Sequence, residues 1–316
     1  MKHLRTRAAV VALCLPLGLG LLAACGDDEP DNAGTDPNSS SPSSEPSSEP
    51  GETTTTQSES PTETEGPSET ESPDGSTATV PIYFAGDTPM GTRLYRELRQ
   101  VPAEDSLTEA ARLLVSGDAL DPDYRTLLDG VTINEVTEEV GGIVVTLGED
   151  SITSADKGLS PADAKLAVQS LVYTLQGAAG SKDHVEVRLA NTTPADLFGQ
   201  PTSIGVKAAP QLKVLSLVNI GLPEEGAKAS GTLKIDGMAS SFEATVRYFV
   251  TSESGATVVD DSAMAKGWIN RLYPWKATID LSGFEPGTYV LHAQTDDPTG
   301  GEGPGPFEDT RTFVVE

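Results

Sequence analysis

Apolar residues along this chain recur with different periods in different stretches, and each period predicts an element. In "TVPIYFAG", Val80, Ile82 and Phe84 alternate on one strand face, with Pro81 at the strand start. "TRLYRELRQV" extends a second segment after a turn at Thr88-Pro89-Met90-Gly91. In "SLTEAARLLVSG" the spacing becomes helical, and Leu107, Ala110, Ala111, Leu114 and Val115 share one face. Ser106 and Glu109 fit a capping box, and Gly117 a stop. "VTINEVTEEVGGIVVTLG" returns to alternation as a hairpin about Gly141-Gly142, with Ile143, Val145 and Leu147 on one face. "SPADAKLAVQSLVYTLQG" is the clearest helix. Ser160 is its N-cap, Pro161 suits the first turn, and Asp163 sits where negative charge meets the helix dipole. Its buried stripe is Ala164, Val168, Leu171, Val172 and Leu175. "HVEVRLA" then alternates, with Val185, Val187 and Leu189 inward.

From about Pro210 strands dominate. "QLKVLSLVNI", "SGTLKIDGMA", "ATVRYFVT", "ATVVDD", "WKATIDL", "TYVLHAQT" and "RTFVVE" are short runs separated by Pro/Gly turns. That spacing suits a β-sandwich. In "ATVRYFVT" the inward face is Val246, Tyr248 and Val250 or its complement; alternation alone does not choose. The predicted fold is therefore an α+β domain over 79–204, a small mostly antiparallel sheet with two helices. An all-β immunoglobulin-like sandwich follows over 210–316.

The amino end follows neither period. Met1 to Arg7 carries Lys2, Arg5 and Arg7, and Ala8 to Ala24 is almost wholly apolar. A basic start, an apolar middle too short to span a bilayer and small residues at the end are the layout of an export signal. Leu22-Ala23-Ala24-Cys25 resembles the lipobox of bacterial lipoproteins. The resemblance implies a signal peptide over 1–24, cleavage between Ala24 and Cys25, and lipid attachment to the Cys25 sulfur. It predicts a membrane partner through that anchor, and a place on the extracytoplasmic face of the cell membrane. Stable anchoring takes more than one acyl chain, which a diacylglyceryl cysteine supplies. Cleavage there also removes Cys14, leaving no thiol pair for a disulfide.

Residues 25–78 read as an acidic linker rich in Ser, Thr, Pro and Glu. From Gly26 to Gly75 there is no Lys, no Arg and no large apolar residue. Such a segment buries too little to offset its ordering entropy and is expected to be disordered. Its contour reaches on the order of 100 Å or more. Ser/Thr/Pro composition also permits an O-glycosylated stalk.

The chain has 316 residues, with 48 acidic against 21 basic, a formal net charge of −27. Nucleic acid and anionic headgroups need basic contacts, so neither is an expected partner. Candidate chemistry is thin. His184 and His292 lie in alternating strands and read as solvated positions. Zinc needs about four ligands, and no Cys or His cluster offers them. No G-x-S-x-G motif accompanies either histidine, and glycoside hydrolysis needs a carboxylate pair across a cleft. No catalytic residue, metal ligand or cofactor is assigned. In "TDDPTGGEGPGPFED", Asp296, Asp297, Glu302, Glu308 and Asp309 either attract calcium or form a flexible acidic loop, and EF-hand spacing is absent. Trp268, Tyr273 and Trp275 admit sugar stacking; the alternative places Trp275 in the sandwich core with the other two along the loop. Asn191-Thr192-Thr193 fits a glycosylation sequon that carries little weight in a bacterial lipoprotein.

Two resemblances complete the reading. "VPIYF", the helix before "SGD", the hairpin ending "GGIVVTLGED" and the helix in "LSPADAKLAVQSLVYTL" resemble the GerMN domain of sporulation and spore-germination proteins. That domain also occurs in actinobacterial envelope lipoproteins. "GTLKIDGMASSFEATVRYFV", "GWINRLYPWKATIDL" and "FEPGTYVLHAQTDDPTG" resemble the immunoglobulin-like C-terminal domain of such proteins, although "NRLYP" is longer than that pattern. Together they imply no enzyme. They imply a binding or scaffolding module whose partners are envelope proteins or a second copy of the chain. The alternative is a lipoprotein that binds peptidoglycan or another cell-wall polysaccharide.

Overall fold

The structure is a computed structural model that describes residues 76–154, 158–190, 193–297 and 301–316. The predicted signal segment, Cys25 and all but the last residues of the predicted linker lie outside the described residues, as do Asn191 and Thr192 of the sequon.

The first domain begins with a long hairpin. Strand β1 (Thr77–Thr88) pairs antiparallel with β2 (Gly91–Pro102), with Phe84 opposite Tyr95. The turn closes as the Thr88 hydroxyl donates to the Gly91 carbonyl at 2.6 Å, with Gly91 in the left-handed region. After a 3-10 turn, helix α1 (Ser106–Ser116) buries Ala110, Ala111 and Leu114. Its end is as expected: Gly117 is left-handed at φ 76°. Its start is not. The 3-10 turn Ala103–Asp105 feeds straight into the helix, so Asp105 takes the N-cap position without a side-chain hydrogen bond and Ser106 is already helical. The S-x-x-E box therefore does not form, and Glu109 instead accepts from Arg112 at 2.7 Å.

Strands β3 (Ile133–Glu139), β4 (Gly142–Leu147) and β5 (His184–Leu189) form a three-stranded sheet. The β3–β4 pair is antiparallel and the β4–β5 pair parallel. Parallel pairing requires a crossover, and helix α2 (Pro161–Ala179) supplies it. Ser160 caps α2 reciprocally: its hydroxyl accepts from the Asp163 amide and donates to the Asp163 carboxylate. The predicted stripe is buried in full, together with Ala167 and Leu166. Between the hairpin, the sheet and the two helices lies one apolar cluster containing Ile82, Phe84, Leu114, Ile143, Val145, Leu147, Leu171 and Leu175. Leu189 is only partly buried.

The second domain is a sandwich. Its larger sheet runs β10 (Thr257–Met264), β9 (Thr245–Ser252), β12 (Gly287–Gln294), β13 (Glu308–Val315), β7 (Ala227–Ala229). Its smaller sheet runs β11 (Tyr273–Asp280), β8 (Thr232–Ala239), β6 (Val218–Leu222). Val246, Tyr248 and Val250 face inward and meet Trp275 from the other sheet, which is 2% exposed. Gly237 makes room there. A Cβ at that position would collide with the Asn219 carbonyl and lie 2.8 Å from the Trp275 indole nitrogen. Among the described residues, no helix is long and apolar enough to cross a membrane.

The two domains belong to one compact unit and share a third apolar cluster. In it Ala85, Leu94, Leu166 and Tyr173 of the first domain meet Leu215 of the connector and Leu272 of the second. The connector starts differently from the expected strand: Gln211–Val214 form a single helical turn, α3, Leu215 makes an isolated bridge to Leu94, and the strand ladder begins at Val218. The chain must redirect between two packed bodies here, and the Gln211 side chain accepts from the Leu272 amide at 2.9 Å. Upstream, α2 holds the connector by two side chains. Gln169 accepts from the Ala209 amide at 2.6 Å and donates to the Lys207 carbonyl at 3.2 Å. The Tyr173 hydroxyl donates to the Ala209 carbonyl at 2.5 Å.

Candidate functional site

The strongest concentration of buried charge lies where the domains meet. It begins in β13, whose inward face reads Asp309, Arg311, Phe313, Val315. Period-two alternation thus places an acid and a base on the same face as two core residues. Arg311 is 3% exposed and Asp309 4%. The first domain answers with Asp121 and Tyr124, both buried, in the loop after α1. Glu97 of β2 shapes that loop, since its buried carboxylate accepts from the backbone amides of Leu120 and Asp121. Tyr95 of β2 stacks on Tyr124 at 5.0 Å. Gly86 permits the Tyr95 ring, because a Cβ there would lie 2.8 Å from it.

Arg311 is the hub. Nη1 donates to Asp121 Oδ2, to Asp309 Oδ1 at 3.4 Å and to the Thr310 carbonyl at 2.7 Å. Nη2 donates to the Tyr124 hydroxyl at 3.0 Å and the Ile220 carbonyl at 3.3 Å. Its guanidinium carbon lies 5.0 Å from the centre of the Tyr124 ring. The Tyr124 hydroxyl in turn donates to Asp309 Oδ1 at 2.6 Å. Asp309 Oδ2 accepts from the Ile220 amide at 2.6 Å and from Asn219 Nδ2 at 3.3 Å. The lock thus joins β13, β6 and the first-domain loop.

One guanidinium faces two carboxylates, so the charges do not balance when both are ionised. Burial raises Asp121 to about 7, against the pull of Arg311 and of the Asp123 amide. Burial raises Asp309 too, but Arg311, the Tyr124 hydroxyl and the amides of Ile220 and Thr310 oppose it. More donors oppose the shift at Asp309 than at Asp121. The Tyr124 phenol is raised by burial and by the adjacent Asp309.

Beside this lock is a cleft of about 310 Å3, lined by Gly86, Asp87, Tyr95, Asp123, Tyr124, Glu308, Asp309 and Thr310. Its walls come from both domains. Tyr95 crosses it, donating to the Glu308 carbonyl at 3.0 Å. The cleft is polar and acidic. Two of its acids already have partners: Asp87 pairs with Arg125 at 2.6 Å and Asp123 accepts from the Thr310 hydroxyl at 3.4 Å.

The sequence had grouped Glu308 and Asp309 with a loop carboxylate cluster, and the structure separates them. Asp309 points inward to Arg311, whereas Glu308 pairs with His292 at 2.6 Å. Among the described residues, no group of three or more His, Cys, Asp or Glu side chains is placed to hold a metal. His292 is not the freely solvated residue expected. It is partly buried, stacks on Phe249 at 4.3 Å and bonds Thr251 through its other nitrogen at 3.1 Å. That pairing holds the Glu308 carboxyl below its usual range. His184 is also partly buried, its ring against Gly142 and Gly205. The aromatic triplet splits. Trp275 fills the core, while Trp268 meets the exposed Phe242 edge-on at 5.0 Å and Tyr273 lies under Arg271.

Comparison with known proteins places names on the two halves. Residues 81–193 match a family model described as "Sporulation and spore germination". Residues 217–302 match one described as "Immunoglobulin-like domain of bacterial spore germination". Among solved structures, the tandem GerMN domains of the sporulation protein GerM from Bacillus subtilis align at 18% identity with a TM-score of 0.34. That alignment covers 66% of this chain and 63% of that one. A lipoprotein from Clostridium perfringens, described as putative in its own name, aligns at 10% identity with a TM-score of 0.25, over 38% of this chain and 80% of that one. No curated protein matches the chain.

Proposed function

From the premise that this chain carries a sporulation and spore germination domain followed by a spore-germination immunoglobulin-like domain, we propose a non-enzymatic binding or scaffolding module of the bacterial cell envelope. It is held at the outer face of the cell membrane by lipid on Cys25. The observation that carries the reading is the lock itself. Asp121, Tyr124, Asp309 and Arg311 are all buried ionisable groups, and all four are engaged in joining one domain to the other. Such a body presents two different surfaces in a fixed relation, which suits assembly. Its partners are envelope proteins.

Crosslinking in intact cells followed by mass spectrometry tests the proposal. Recovery of defined envelope proteins supports it, and recovery of none counts against it. The anchor is tested separately: Cys25→Ser should move the protein out of the detergent phase, and unchanged partitioning removes lipidation from the account.

A second reading has one observation behind it. Phe242 and Ile269 are exposed beside Trp268, and from Ser262 to Ile279 the chain carries Lys266, Arg271 and Lys276 with no acid. In so acidic a protein, an apolar loop with basic neighbours favours an acidic cell-wall polysaccharide. Pull-down with purified peptidoglycan separates the two readings.

A further inference from the structure

A second, smaller cavity of about 40 Å3 also lies between the domains. Its walls include Leu94 and Arg96 of β2, Leu215 and Ser216 of the connector, and Asn219 and Met238 of the sandwich. Three of these residues carry a buried side-chain atom without a hydrogen-bond partner: Arg96 Nε, Ser216 Oγ and Asn219 Oδ1. Unpaired buried polar atoms are costly, and three on one small cavity point to a shared ligand.

The chemistry of the three atoms selects that ligand. The Asn219 amide cannot be turned round, because Nδ2 donates to the Arg96 carbonyl at 2.9 Å and to Asp309 Oδ2 at 3.3 Å, both acceptors only. Oδ1 is therefore an acceptor. Arg96 Nε is a donor, and the Ser216 hydroxyl serves either way. An anion is disfavoured by Oδ1 and by Asp236, whose carboxylate flanks Gly221 together with the Arg96 guanidinium. A ligand that both accepts and donates is required, and it must be small. One water, whose share of liquid volume is about 30 Å3, meets both conditions.

We propose that this cavity is a binding site for one ordered water shared by the two domains. The water accepts from Arg96 Nε and donates to Asn219 Oδ1, and Ser216 Oγ completes its shell. Because Asn219 also donates to Asp309, the water steadies the lock from a second side.

Two experiments test this. A crystal structure at atomic resolution should show density within hydrogen-bond distance of Arg96 Nε and Asn219 Oδ1 that refines as water. Absence of density, a direct Arg96–Asn219 bond, or an anomalous peak there after a bromide soak overturns the proposal. Oxygen-17 relaxation dispersion on the full chain should show one fewer long-lived water in Ser216→Val than in the wild type. An equal count in a folded variant overturns it too. Should Ser216→Val fail to fold, the wild-type crystal decides alone.

Discussion

The two carboxylates facing one arginine make stability depend on pH in a direction opposite to that of carboxylates held ionised by surface ion pairs and hydrogen bonds. Asp121 is raised from 3.8 to about 7 in the folded chain. Between those values the folded state holds a proton that the unfolded state has released. Stability is therefore full below the ordinary carboxylate value and is lost as pH rises through about 7. Each pH unit in that window is worth at most about 1.4 kcal/mol, so about three units bound the loss at about 4 kcal/mol. Coupling to Asp309 and Arg311 spreads the titration, and a loss of about 2 kcal/mol between pH 5 and 8 is the working expectation. Other neighbours do not reverse the sign. Asp260, Asp280 and Glu308 are lowered and act only on the acid side. Asp236 and Asp309 are raised and act in the same direction as Asp121. Urea denaturation at a series of pH values reads the slope directly. In Asp121→Asn the absolute stability changes, because an amide then faces Arg311 and the Asp123 amide, but the slope between pH 5 and 8 should fall to less than half. A wild-type curve that is flat or rising over this range refutes the assignment. So does a variant that keeps the full slope.

Arg311→Met leaves two buried carboxylates without their cation and should cost about 3–5 kcal/mol, measured at pH 8 by denaturant unfolding. Leu94→Ala opens a hole in the cluster shared by both domains. It should cost about 2–5 kcal/mol while calorimetry still records one transition; two separated transitions would show that the domains unfold independently. Gly237→Ala drives a methyl group into the Asn219 carbonyl and should destabilise by about 1–3 kcal/mol or more. Ser160→Ala removes the reciprocal cap of α2 and should cost about 1 kcal/mol in a thermal melt.

Elements whose period was unbroken were legible in the sequence. Helix α2 announced its cap, its first-turn proline and its buried stripe, because all of these are local. The inward phase of β9 needed the second sheet, since both faces of "TVRYFVT" carry apolar residues. The charged lock was missed for a different reason. Asp309 was read with the carboxylates preceding it, although the alternation of "EDTRTFVVE" already put Asp309 and Arg311 in phase with Phe313 and Val315. Polar residues on an apolar phase are the available signal, but their partners Asp121 and Tyr124 lie nearly two hundred residues earlier, and no local pattern links them. The helical turn α3 was hidden likewise: its apolar residues answer to two domains at once and follow neither period.

The grip of Gln169 and Tyr173 on residues 207–209 removes the usual swivel between neighbouring modules. A load applied at the Ser76 end passes through the first body into the sandwich without a slack segment to absorb it. Surfaces on the first domain and on the far loops of the sandwich are thereby held at a set angle to each other.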